Sequence, residues 1–563
     1  MIIRRTIVAL VAAALLLLMH LPGWASGLAP DSAQDGPAAA TDTAAAWRAD
    51  LAALAVSLER THPNPFHSVT RERFTAAVAD LDRRIPSMMR HEIIVEMARI
   101  VAMIGDGHTN FSPVRDARFG FREYPLRFAL FKDGLFVRSA SREHAAAVGR
   151  RVVRIGRVSA VDAVAAVGGV ISRDNEMTVR FFVPMYLAIP EVLHALRIVD
   201  DMESATIEVE GPAGISSITV APAGSCAVIP SHTDTTWTVP DGWVDMCAAS
   251  VSRPLWLREP TREHWFEKLD GGRTIYAQIN AVADSAAGTF EAFSTRMMDA
   301  AETPGVERLV VDLRRNRGGN GELRKPLVQR LIRSRLNRSG GIVVLIGRAT
   351  FSAAQFVLDD LEDLTEAVFI GEPSGSKGNH YGDSRKIVLP NSGLTVRCSI
   401  YWWQHWSPWD KRVWTAPDIA AELRSEDYAA GRDPALAAAL AYRVEPGLAL
   451  RLRSALDAGG VPAAELAFRE YCADSRFVFR SEIYDLVSLA FDLARQKRLA
   501  EAVRVQQMNV DRNPTLPDSH AALGELYLVQ EKRDLAKAAY RRALELDPRH
   551  FVSMDRLAKL GSE

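Results

Sequence analysis

Cysteine is scarce: Cys226, Cys247, Cys398 and Cys472 are all that 563 residues contain. Their spacing matches no zinc motif, which excludes a zinc-ribbon or zinc-finger scaffold. In an exported chain Cys226 and Cys247 lie close enough in sequence to pair; the alternative is four buried free thiols. An excess of one charge is also missing. The formal net charge is −1, so there is no basic footprint for nucleic acid. Beyond the N-terminus no segment is apolar enough to span a bilayer. The glycines do not form Gly-x-Gly-x-x-Gly or a P-loop, so no nucleotide motif is present. No metal and no organic cofactor is implied.

What is present exceeds one hydrophobic core in length, so several domains are expected. Residues 1–26 read as a signal peptide: Arg4-Arg5, an apolar run from Thr6 to Met19, and small residues around Ala25-Ser26-Gly27 for cleavage. The chain is therefore expected to be exported, to the periplasm or beyond, and to keep no transmembrane segment after cleavage. Residues 27–46, rich in Ala, Pro, Asp and Thr, read as a flexible linker. Residues 47–118 read as a helical domain. Leu51, Leu54, Ala55 and Leu58 recur at helical spacing, as do Ile93, Met97, Ile100, Val101 and Ile104. Thr61 to Phe66 marks a turn between them, and Gly105-Asp-Gly-His-Thr109 ends the second run. His108 is either a hydrogen-bonded turn histidine or a general base reaching into a cleft built by another domain.

Residues 119–225 alternate like strands, with turn signals such as Lys132-Asp-Gly134. Gly149 to Gly156 resembles the part of a PDZ domain that precedes its helix. Residues 226–259 are a turn-rich connection. Residues 260–445 hold the most informative stretch. Three times a short β-branched run breaks into small and polar residues: at Leu309–Asn320, Ile342–Gln355 and Ala367–Gly382. Buried strands that deliver loops to one sheet edge have this form, and such edges carry ligand and reaction sites. Ser352 lies at one strand-to-helix turn, where it is either a helix N-cap or an outward-facing nucleophile. Gly318-Gly319 permit close backbone approach, so their N–H groups and that of Ala353 could form an oxyanion hole; the other reading is a tight turn. Trp402, Trp403, Trp406, Trp409 and Trp414 crowd the end of the next strand, either as packing or as a groove lining. Residues 446–563 are helical. Leu523-Gly524, Tyr527, Ala536, Tyr540, Ala543 and Pro548 fit a tetratricopeptide repeat at 517–550, and a looser copy fits 483–516. The repeats are either a docking surface for a protein partner or a cap on the rest of the chain.

Taken in order, Asp312-Leu-Arg-Arg-Asn-Arg-Gly-Gly-Asn320, Ser352-Ala-Ala354, Gly371-Glu-Pro-Ser-Gly375 and Leu389-Pro-Asn-Ser-Gly393 resemble the tail-specific, or C-terminal processing, family of serine peptidases, which includes tricorn-type proteases. Pro417-Asp-Ile419 and Asp433-Pro-Ala-Leu436 match that family's tail. The resemblance implies an α/β, crotonase-like catalytic core, a PDZ-like module and peptide or protein substrates, with Ser352 as nucleophile. Arg317 departs from it, standing where many members carry a third glycine. The resemblance supplies two bases. One branch uses a lysine at the spacing of Lys377, 25 residues after Ser352. The tricorn-like branch uses a histidine in a turn like the one holding His108, supported by an acid for which Asp410 is the candidate. His108 is favoured, because an imidazole starts at a pKa of about 6.5, near working pH. A non-catalytic peptide-binding scaffold of the same fold is the rival reading.

Overall fold

The computed structural model describes residues 42–229, 234–248, 251–405, 407–408 and 410–561. The signal at 1–26, most of the linker, Trp406 and Trp409 lie outside the described residues.

The helical region opens earlier than its periodicity predicts. Helix α1 (Ala44–Thr61) takes in the last residues assigned to the linker. Thr43 caps it by accepting from Ala46 N–H, and Asp42 accepts from the Trp47 indole at 2.6 Å. Helices α2 (Arg71–Arg84) and α3 (Arg90–Ala102) follow, with the predicted turn between the first two.

The next region is less extended than its alternation suggests. Strands β1 (Leu126–Phe131), β2 (Gly134–Ala140), β3 (Arg151–Ile155), β4 (Ala205–Gly211) and β5 (Gly214–Val220) form an antiparallel sheet in that order. Between β3 and β4 the chain is helical: α4 (Ala160–Gly168), α5 (Glu176–Tyr186) and α6 (Pro190–Ala195). Ser159 and Asn175 cap the first two, and Pro190 starts the third, so these residues decide against strand. Their apolar faces share one core with α1–α3 and the sheet.

A second sheet runs β6 (His264–Leu269), β7 (Thr274–Ile279), β8 (Arg308–Asp312), β9 (Ile342–Ile346), β10 (Val368–Gly371) and then Ile419–Ala420. The first pair is antiparallel and the rest are parallel. Helices α7 (Phe290–Ala301), α8 (Lys325–Arg333) and α9 (Ala353–Leu364) cover one face, and α10 (Pro434–Ala441) covers the other. Burial on both faces explains why β8 and β9 read as unbroken apolar runs.

A hairpin of β11 (His380–Val388) and β12 (Thr395–Trp403) leaves this second sheet and reaches back to the helices. Leu389, Leu394, Val396 and Cys398 join the α1–α3 core. Asp50 of α1, fully buried, accepts from the backbone N–H of Asn391 and Ser392 at 2.8 Å each. The four cysteines are all free. Cys226 and Cys247 do not pair, because one packs against the helical core and the other beside Trp256 and Tyr428.

The C-terminal region is α11 (Leu448–Ala473, broken at Gly459-Gly460), α12 (Ile483–Arg495), α13 (Leu499–Arg512), α14 (Pro517–Val529), α15 (Arg533–Leu546) and α16 (Phe551–Gly561). Both helix pairs fall inside the two repeat spans read from sequence. Gly524 is required there: a Cβ would stand 2.7 Å from the Tyr540 ring. Among the described residues no helix is long and apolar enough to cross a membrane.

Candidate active site

Ser352 occupies the N-cap position of α9, yet its side chain makes no capping hydrogen bond. Its backbone sits at φ 57°, ψ −122°. For a residue with a Cβ this conformation costs on the order of 1–3 kcal/mol and persists only where the surroundings enforce it. They do so through four bonds. Thr350 Oγ donates to Leu313 O at 2.9 Å and accepts from Gly347 N–H at 3.0 Å. Phe351 N–H donates to Asn316 O at 3.0 Å, and Gly375 N–H to Thr350 O at 2.9 Å. The hydroxyl thus released from capping faces His108 Nε2 at 2.9 Å.

His108 arrives from the helical region on the turn after α3. Asp106 folds that turn: one carboxylate oxygen accepts from His108 N–H (2.9 Å), Thr109 N–H (2.7 Å) and Ser399 Oγ (2.8 Å). The other accepts from His62 Nε2 at 2.9 Å. Burial raises the Asp106 carboxyl, but His62, Thr109 N–H and Ser399 Oγ together outweigh burial and hold the pKa below the usual carboxylate value. The hairpin clamps the turn from outside, with Asn110 and Arg397 exchanging backbone bonds of 2.9 Å. Phe351 locks the two loops together. Its ring stacks on His108 at 4.6 Å and approaches Gly107 so closely that a Cβ there would meet it at 2.7 Å.

Burial pushes the His108 imidazole down to about 3, with His380 beside it adding repulsion. The ring is therefore neutral, with Nε2 open to the Ser352 hydroxyl, although the same burial moves it away from the pKa of about 6.5 that favoured it as the base. Nδ1 makes no well-formed hydrogen bond; the backbone of Tyr381 is the nearby polar group that favours the charged ring. No carboxylate contacts the ring among the described residues. Asp410, the acid expected there, is instead held by Arg412, whose guanidinium also pairs with Glu362.

Lys377 is likewise not at the hydroxyl. It is half-buried, and its carbonyl accepts from His380 Nδ1 at 2.9 Å. His380 stacks between His108 (5.6 Å) and Phe356 (5.2 Å). Arg317 does not crowd the serine: its buried guanidinium lies over Phe181 and Phe182 at 4.9 and 5.0 Å. The tryptophans divide. Trp402 packs on Tyr381 at 4.6 Å, Trp403 on Phe356 at 5.4 Å and Trp414 on Phe479 at 6.5 Å, so those described do not form one box.

The glycine pair splits as well. Gly318 N–H donates to Asn316 Oδ1 at 2.9 Å, which removes it as an oxyanion donor. Its role is space: a Cβ would stand 2.8 Å from Ser352 Cβ. Gly319, at φ 134°, has Val282 O at 2.3 Å from any Cβ. The N–H groups of Gly319 and Ala353 are left for a ligand, the latter as the first N–H of α9.

Sequence reasoning missed Asp174 and Ser376. Asp174 Oδ1 accepts from Gly107 N–H at 2.8 Å and Oδ2 from Ser376 Oγ at 2.9 Å. An Asp-Asn pair before an apolar helix reads as a cap, and Asn175 is that cap. Two other places invite a ligand. A cavity of about 440 Å³ lies between β1 and the ends of β9 and β10, lined by Phe128, Phe181, Trp237 and Trp256; its wall reaches Arg348 and Ala349 and stops short of Ser352. His91, Glu92 and His194 bring three metal-type donors within 4.8 Å. There the two imidazoles bond each other at 2.9 Å, and Glu92 is taken by Met89 N–H and Arg197.

A family model for the tetratricopeptide repeat matches residues 517–550. No curated protein sequence matches the chain. Among solved structures it is similar to a mutant of CPAF, with a TM-score of 0.50 and 10% identity over 72% of this chain and 99% of that one. It is also similar to the photosystem II D1 C-terminal processing protease (TM-score 0.31, 14% identity, 69% of this chain and 98% of that one). The tricorn protease is a third (TM-score 0.31, 13% identity, 70% of this chain and 36% of that one). At these identities the likeness to CPAF is one of fold.

Proposed function

We propose that this chain is a serine-type endopeptidase acting on protein or peptide substrates. One observation carries the reading: a serine at a helix N-cap, strained at φ 57°, gives up capping to place its hydroxyl 2.9 Å from a half-buried, neutral histidine. Ser352 Oγ attacks the scissile carbonyl carbon while His108 Nε2 takes its proton. His108 then returns that proton to the leaving amine, and activates the water that releases the acyl group. The oxyanion is met by the N–H groups of Gly319 and Ala353. In this reading the second sheet is the crotonase-like core and β1–β5 the PDZ-like module that brings substrate to it. The repeats dock a protein partner. The leader-like residues Arg4 to Ser26 support export.

A fluorophosphonate probe tests this. The wild-type chain is expected to label at Ser352 and to hydrolyse peptide, and Ser352→Ala to do neither while melting at an unchanged temperature. A folded wild type that fails to label would leave a binding scaffold as the better reading.

A further inference from the structure

The base has no acid behind it; Phe351 and His380 fix the plane of its ring, and its approach to the serine depends on the turn that carries it. His108 Nδ1 makes no well-formed bond, and Asp410 is tied to Arg412. An imidazole free to rotate or retreat by about 1 Å would cost roughly a hundred-fold in rate. The two loops also belong to different parts of the fold, since Ser352 rides on α9 and His108 on the turn after α3.

Asp174 spans that gap. It is 7% exposed, and each carboxylate oxygen takes one donor. Oδ1 holds Gly107 N–H, directly before the base, at 2.8 Å. Oδ2 holds Ser376 Oγ at 2.9 Å, and Ser376 Oγ accepts in turn from Ser352 N–H at 3.3 Å. A single side chain is thus bonded to the base turn and, through one hydroxyl, to the backbone of the serine. Leaving a carboxylate in such a place is costly. Burial and the neighbouring Asp106 raise its pKa above the usual carboxylate value, a rise that His380, Gly107 N–H and Lys377 reduce.

The neighbours of Asp174 secure the loop independently. Asn175 Nδ2 donates to Ser374 O (3.1 Å) and Val413 O (2.7 Å), and Thr178 Oγ donates to Gly375 O at 2.7 Å. Docking of α5 on the 374–376 loop therefore has two bonds that do not involve Asp174, and Asn175 adds a third to Val413. The Asp174 bonds add something docking does not need: they set the base turn against the nucleophile turn.

We propose that Asp174 is a positioning residue that holds His108 and Ser352 in register, standing in for an acid on the imidazole. The assignment rests on the serine-peptidase reading. The test is the saturation kinetics of fluorophosphonate labelling in the full chain, which separates the rate at saturation, kinact, from probe affinity, KI. Asp174→Ala is expected to lower kinact roughly a hundred-fold with little change in KI. Asp174→Asn is expected to recover most of that loss, because its carbonyl still accepts from Gly107 N–H. Ser376→Ala cuts only the serine side and should cost about ten-fold. Asn175→Ala is the control: it weakens docking and lowers Tm but should leave kinact near wild type. Wild-type kinact in Asp174→Ala would overturn the assignment. So would losses of kinact in Asp174→Asn and Asn175→Ala that simply follow their losses of Tm. No labelling of the wild type overturns the peptidase reading, and this assignment with it.

Discussion

The two halves of the site are built in opposite ways. The serine half is placed by backbone: a fully buried strand, β9, ends in a turn, and α9 starts at the next residue, leaving the hydroxyl at the junction. The histidine half is placed by side chains. Asp106 and Asp174 hold a five-residue turn, and on its far side Asn110 pairs with Arg397 of β12. Strain can be stored in the first half because four hydrogen bonds lock it. The second half can be tuned or lost by changing a single carboxylate.

The sharpest way to break this comparison is to remove the base. His108→Ala is expected to lower the labelling rate of Ser352 by about 10⁴-fold. Lys377→Ala should stay within about three-fold, since the hydroxyl's hydrogen bond is to His108 and none joins it to the lysine amine. Equal losses from the two would mean that the contact with His108 is not the working one. Next is the backbone half. Gly319→Ala drives a Cβ to 2.3 Å from Val282 O and displaces an oxyanion donor. Peptide hydrolysis should fall by about 10²–10³-fold with KM little changed. A variant with normal kcat would remove Gly319 from the hole.

The histidine half should also respond to changes far from it. Asp50→Ala frees the hairpin tip by leaving the N–H groups of Asn391 and Ser392 without acceptors. Denaturant unfolding should show a loss of about 1–3 kcal/mol. Labelling should slow by less than about ten-fold, because Asp106 and Asp174 still hold the turn. The smallest effect is with pH. Burial keeps His108 neutral to about 3, so the labelling rate should stay level as pH falls through about 6.5, where an exposed histidine protonates. The cost appears in stability instead. Between those two values the unfolded chain binds a proton that the folded chain refuses, so stability falls as pH is lowered through that window. His108→Asn lacks this contribution and should lose less Tm over the same range; an inflection in wild-type labelling near 6.5 would show the imidazole to be solvated.

The residues that were legible in the sequence share a property: their signal is local. Leu309 to Val311 and Ile342 to Ile346 are apolar because both faces of the sheet are covered, and that pattern survives without knowing what covers them. Ser352 followed by Ala353-Ala354 marks a strand-to-helix junction, and Gly524 with Tyr540 marks a repeat, each within a few turns of chain. The family resemblance also linked two distant loops, placing His108 as the favoured base. Of the helices between β3 and β4, the resemblance at Gly149–Gly156 foresaw only α4; α5 and α6 were missed, and the Asn175 cap and Pro190 are the signals that mark them.

Other decisions belonged to the tertiary structure. Whether Ser352 caps its helix or faces a base depends on a turn 244 residues earlier in the chain. Which glycine keeps its N–H free depends on Asn316 folding back on Gly318. That Asp410 would be taken by Arg412, itself paired with Glu362, and that Asp174 would bridge Gly107 and Ser376, follows from how the helical region, the first sheet and the second sheet meet. A sequence reports the burial and backbone preference of its own neighbourhood. It does not report which carboxylate a packed interface will bring within about 3 Å of which donor, because that distance is set by all the contacts at once.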